Sequence, residues 1–120
     1  MDHPQVDITP NKAAGIIIHI SRLIEAKLRE FDQLNEVAAQ TKKEAEVVFA
    51  RAFLESTRPM DERRQIAMLA AADARFAADA AERQVKACSK ALYKLSGDMD
   101  SARTISATAR DEMKSLGGTT

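Results

Sequence analysis

The stretch Met60–Leu116, MDERRQIAMLAAADARFAADAAERQVKACSKALYKLSGDMDSARTISATARDEMKSL, decides the fold. Taken at alternating steps of four and three it reads Met60, Arg64, Ala67, Ala71, Ala74, Ala78, Ala81, Val85, Cys88, Leu92, Leu95, Met99, Ala102, Ser106, Ala109, Met113, Leu116. Only Arg64 and Ser106 in that series are polar, and the register does not slip. A 3.5-residue repeat held over so many turns predicts a helix that keeps one seam against a partner helix. The seam is graded: alanines come first, and larger Val, Leu and Met follow.

The partner lies upstream. From Pro10 to Glu55 the chain has no internal proline, and its own seam reads Ile17, Ile20, Ile24, Lys27, Phe31, Leu34, Ala38, Thr41, Ala45, Val48, Ala52. Here the large residues come first and the small ones last. A reversal near Thr57–Pro59 brings Ala45 near Ala71 and Ile24 near Leu92, so small meets small by the turn and large meets large at the far end. A parallel pairing would oppose bulk to alanine. The fold class predicted is therefore all-α, a long antiparallel helical hairpin of coiled-coil type that forms a helical bundle on oligomerisation.

Local signals set the boundaries. Thr9 is a helix N-cap and Pro10 a first helical residue that loses no hydrogen bond, with Ile8 placed to staple back onto Ala13. Pro59 stops the first helix, while Asp61 and Glu62 suit the positive end of the second. The domain organisation expected is a loose tail over 1–8 and a hairpin domain over 9–116, ending in a frayed 117–120. Within the hairpin, helices run over about 10–55 and about 60–96, with the turn at 56–59. At Gly97 two readings stay open. The helix runs on, since one glycine costs only about 1 kcal/mol relative to alanine. Or Gly97 ends it, and Asp98 or Asp100 caps a short third helix to Leu116.

Lys plus Arg and Asp plus Glu each number 18, so no net field recruits nucleic acid or an anionic membrane. Charged residues are 30% of the chain with signs mixed, as on solvated helix faces, and aromatics at 4% argue against a sheet. The single cysteine, Cys88, excludes a disulfide framework. The polar, acidic start predicts no signal peptide, and the apolar run Ala13–Ile20, interrupted by His19, is too short to span a bilayer.

Catalytic chemistry is not written in these residues. His19 has no Cys, Asp or Glu at i±3 or i±4, whereas zinc needs at least three convergent ligands. Cys88 sits in the seam between Val85 and Leu92 as a small apolar group. There is no glycine-rich phosphate loop and no serine elbow, so neither a cofactor, a metal nor enzyme activity is expected.

What the sequence does offer is surplus apolar surface. Ile66, Leu69 and Phe76 make a second stripe about 100° from part of the alanine seam, and Phe49 and Phe53 broaden the first helix near the turn. A helix apolar on more than one side is normally buried on more than one side. These five residues are the expected partner or oligomer interface: a second hairpin completing a bundle covers them, or a different protein docks there. Lys86, Lys90 and Lys94 recur on one face of the second helix as candidate nucleic-acid contacts. The interleaved Asp79 and Glu82 favour a solvated face, and Tyr93 alone is thin support for base stacking.

Three segments together resemble small alanine-rich helical proteins of tailed bacteriophages and prophages: Phe49-Ala50-Arg51-Ala52-Phe53-Leu54-Glu55-Ser56, the Arg-bearing alanine-rich helix after it, and Ser106-Ala107-Thr108-Ala109-Arg110-Asp111-Glu112-Met113. Such proteins are typically encoded near single-strand-binding and recombination genes, and they have no catalytic residues to carry over. The resemblance implies a host bacterial cytoplasm and a non-enzymatic accessory role in phage DNA replication or recombination, with a bacterial or phage protein as partner. An inhibitor of a host enzyme or defence protein, or a direct nucleic-acid binder, are the alternatives.

Overall fold

The computed structural model describes residues 9–117. The expected loose tail over 1–8, with the Ile8 staple, and residues 118–120 of the expected frayed end lie outside them. The described chain is helical apart from Thr9, the 56–59 loop and Ala71, with α1 over Pro10–Glu55, α2 over Met60–Ala70 and α3 over Ala72–Gly117. It is an all-α helical hairpin.

The caps explain where the helices start. Thr9 Oγ1 accepts from the Lys12 N–H at 3.3 Å, and the Thr9 carbonyl accepts from the Ala13 N–H at 2.9 Å. The first bond meets an orphan donor of the first turn, and the second is the opening rung of the helical ladder. In the loop, Ser56 Oγ accepts from the Arg58 N–H at 3.3 Å, and Arg63 Nε donates to the Arg58 carbonyl at 2.6 Å. Pro59, at φ −55° and ψ 157°, precedes α2 as its N-cap, and its carbonyl accepts from the Arg63 N–H at 2.9 Å. Its ring offers no side-chain acceptor, so Asp61 and Glu62 in the first turn supply the favourable charge there.

Three helices arise for a reason different from the one anticipated. No short third C-terminal helix forms; α3 runs through Gly97 without a break. The interruption is at Ala71, whose φ −92° and ψ 0° depart from helical values. The ladder survives it, with Ala71 N–H to Ala67 O at 3.0 Å and Arg75 N–H to Ala71 O at 2.8 Å. Side-chain phase therefore carries from α2 into α3. At Gly97 the backbone is not left-handed, and a Cβ there would meet nothing within 4 Å. Gly97→Ala is expected to raise stability by about 0.5–1 kcal/mol, read as a higher thermal midpoint.

The chain divides into two compact units, one built from Arg29–Lys90 and the other from the residues up to Leu28 with those from Ala91 on. In the first, α1 returns through the loop into α2 and the start of α3. Its buried positions are small: Ala45, Ala67, Ala71, Ala81 and Cys88. In the second, Ile20, Met99 and Ala102 form the core, with Ile17 and Ile24 packed against it. The graded seam thus reappears as an alanine-lined contact in one unit and an Ile–Met contact in the other.

Every seam position from Ala67 to Ala109 is buried or half-buried, as is every position of the α1 seam from Ile17 to Ala52. The polar members are accommodated locally. Thr41 Oγ1 lies 2.9 Å from the Val37 carbonyl and 3.0 Å from that of Ala38, bonding back into its own helix. No buried side-chain nitrogen or oxygen among the described residues lacks a partner.

The seam's outer members, Met60, Arg64, Met113 and Leu116, are exposed. In the turn-bearing unit this follows from the register. Arg75 reaches Phe49, so α1 meets α3 about two turns further along than a pairing of Ala45 with Ala71 requires. Met60 and Arg64, next to the loop at the start of α2, are therefore left in solvent, and burial begins at Ala67. In the other unit the shift has the same sense, since Ile20 clusters with Met99 and Ala102 rather than with residues near Ser96.

Candidate interaction surface

The five residues expected to form an interface divide into two sets. Phe49 lies roughly 75° and Phe53 roughly 115° from the midline of the α1 seam, and both rings are half-buried. They stack with centroids 6.3 Å apart and planes 17° from parallel, and the Arg75 guanidinium sits 5.0 Å from the Phe49 centroid. Stacking and cation–π contact, each about 0.5–1.5 kcal/mol, give these half-buried rings partners within the fold. Phe49, but not Phe53, lines a groove of about 420 Å³ together with Lys42, Ala45, Glu46, Arg75, Ala78 and Asp79. Both charge signs surround it, and no buried polar group points into it.

Ile66, Leu69 and Phe76 behave otherwise. The angle of about 100° expected for the stripe holds for Ile66 alone; at 100° per residue Leu69 and Phe76 stand nearly opposite the alanine seam. Exposure follows that geometry: Leu69 is 79% exposed, Phe76 70% and Ile66 42%. Leu54 at 79% and Met60 at 60% flank the turn, and Met68 at 49% lies further along α2. Met68 gave no signal in the sequence because methionine fits a solvated flank and a contact face equally well.

The outward residues follow a repeat of their own. Glu62, Ile66, Leu69, Asp73, Phe76, Ala80, Arg83 and Ala87 alternate in steps of four and three, all within the Arg29–Lys90 unit. The helix therefore carries two seams on opposite sides, one occupied by α1 and the other open.

Lys86, Lys90 and Lys94 are all exposed. Lys86 Nζ lies 3.9 Å from Glu82 Oε1, one turn back, so part of its charge is already shared. Lys86 and Lys90 fall in the turn-bearing unit and Lys94 in the other. Tyr93 is 85% exposed with no aromatic partner that would extend it into a stacking platform. Cys88 is buried in the seam, 4% exposed, and His19 is on the exposed side of α1. Among the described residues no three of His, Cys, Asp and Glu converge as a metal site would require, and no helix is long and apolar enough to cross a membrane. Set against known protein families, curated proteins and solved structures, the chain matches none.

Proposed function

We propose that this chain is a non-enzymatic helical interaction module that works by seating another helix on the outward seam of α2 and early α3. The observation that carries the reading is the exposure of Leu69 and Phe76, 79% and 70%, on a second 3.5-residue repeat facing away from α1. Each such side chain forgoes roughly 1.5–3 kcal/mol by staying in water, which an incoming apolar helix recovers. Self-association into a helical bundle is part of this proposal. So is the setting that the phage resemblance implies, an accessory to DNA replication or recombination; a host protein docked on the same seam would instead make the chain an inhibitor.

The test is Leu69→Asp with Phe76→Asp. Both side chains are exposed, so helicity by circular dichroism should hold while association weakens at least tenfold in sedimentation or light scattering. The wild-type melting point should also rise with protein concentration, as linkage requires of an associating chain. Association unchanged by the double substitution would sink the reading.

A further inference from the structure

The open seam has an internal order that selects its occupant. This step rests on the reading just given, that the seam is an interface. We infer that the helix seated on it is the same seam of a second copy, running antiparallel about a two-fold axis between Ala72 and Asp73.

A two-fold interface must complement itself: if one residue meets another, the reverse contact is made as well. About an axis between Ala72 and Asp73, Leu69 and Phe76 lie equally far on either side, so each copy's Leu69 meets the other's Phe76. Those are the most exposed apolar residues of the seam. Ile66 then faces Ala80, bulk against a small side chain, which lets the helices close together.

Charge follows the same symmetry. Asp61 and Arg83 are exposed, lie on the same edge of the seam, and are nearly equidistant from the axis, so two Asp61–Arg83 contacts close the ends. The next cations outward are already shared, Arg58 with Glu62 at 3.7 Å and Lys86 with Glu82 at 3.9 Å. A parallel pairing in register would set Asp61 on Asp61 and Arg83 on Arg83. Both ends hold both signs, but on this edge of the seam Asp61 lies toward one end and Arg83 toward the other, which favours the antiparallel arrangement. One contact opposes it: the two Asp73 carboxylates flank the axis on the same side.

The experiment uses the full chain with Asp61→Arg and Arg83→Asp, each alone and then mixed in equal amounts. Each alone turns both end contacts from attraction to repulsion, and the dimer should weaken on the order of tenfold. In the mixed pair one contact joins the two introduced charges and the other keeps Asp61 against Arg83, so wild-type affinity should return. Asp73→Asn, which leaves both end contacts in place, should tighten the dimer severalfold. A wild-type chain that is monomeric, a mixture no tighter than its components, or an Asp73→Asn dimer no tighter than wild type would each overturn the inference. If Leu69→Asp with Phe76→Asp dissociates the protein while the mixture stays apart, the seam remains an interface and only the antiparallel pairing falls.

Discussion

Replacing Ala67 by leucine is expected to destabilise the chain by about 1–3 kcal/mol, although leucine is nearly as good a helix former as alanine. Ala67 is 0% exposed and belongs to the run of small buried residues that continues through Ala71 and Ala81. Its methyl is already fully withdrawn from solvent, so three added heavy atoms have no free space to occupy. Either the helices separate, and neighbouring contacts lengthen along the seam, or the leucine leaves its preferred rotamer. For a chain of this size the loss corresponds to a fall of several degrees in the thermal midpoint. The same exchange at Ala39, exposed on α1, should stay within about 0.5 kcal/mol. Equal midpoints for the two variants would mean that the alanine seam is not close-packed, and that its small residues reflect helix propensity alone.

The alanine seam and its partner were legible because periodicity over many turns leaves few alternatives. Ala67 to Ala109 and Ile17 to Ala52 are withdrawn from solvent as their spacing implies. The start of α1 was legible from Thr9 and Pro10, since a capping hydroxyl and a proline at the first position act locally. Gly97 was not decidable beforehand: about 1 kcal/mol against glycine is smaller than what α3 gains by keeping Met99, Ala102 and Ala109 on the seam. The irregularity at Ala71 left no trace, because alanine fits regular helix and a single displaced residue alike. The register was off because hydrophobic spacing fixes which face is buried. How far the chain travels before α2 begins is decided by Ser56, Arg58 and Pro59 through the loop's own hydrogen bonds.

The interaction surface divides along the same line. Leu69 and Phe76 could be read from phase alone, being apolar where the first seam has no use for them. Phe49 and Phe53 could not, since both lie off the seam and are half-buried all the same. One of the contacts on Phe49 is a guanidinium arriving from another helix. That contact depends on the inter-helix register, which no single-helix pattern contains.

Ile20→Ala should cost about 2–4 kcal/mol, the largest loss expected from a single truncation here. Ile20 is 9% exposed and lies in one cluster with Met99 and Ala102, flanked by Ile17 and Ile24. Removing its outer carbons loses their transfer free energy and leaves a void that Met99 fills only in part, since α1 and α3 are held by their own backbone ladders. Alanine's better helix propensity returns a few tenths of a kcal/mol, too little to offset the loss. Two positions earlier on the same helix, Ile18 is 53% exposed, and Ile18→Ala should leave the midpoint nearly unchanged or raise it slightly. The contrast isolates packing from propensity, because helix, residue type and substitution are the same. Comparable losses at both sites would place Ile18 in a buried contact as well, and a second apolar interface would then be required next to Ile16 and Ile105, which border one groove in this unit. A loss at Ile20 alone, independent of protein concentration, fits a core that closes within one chain and leaves self-association to the seam of Leu69 and Phe76.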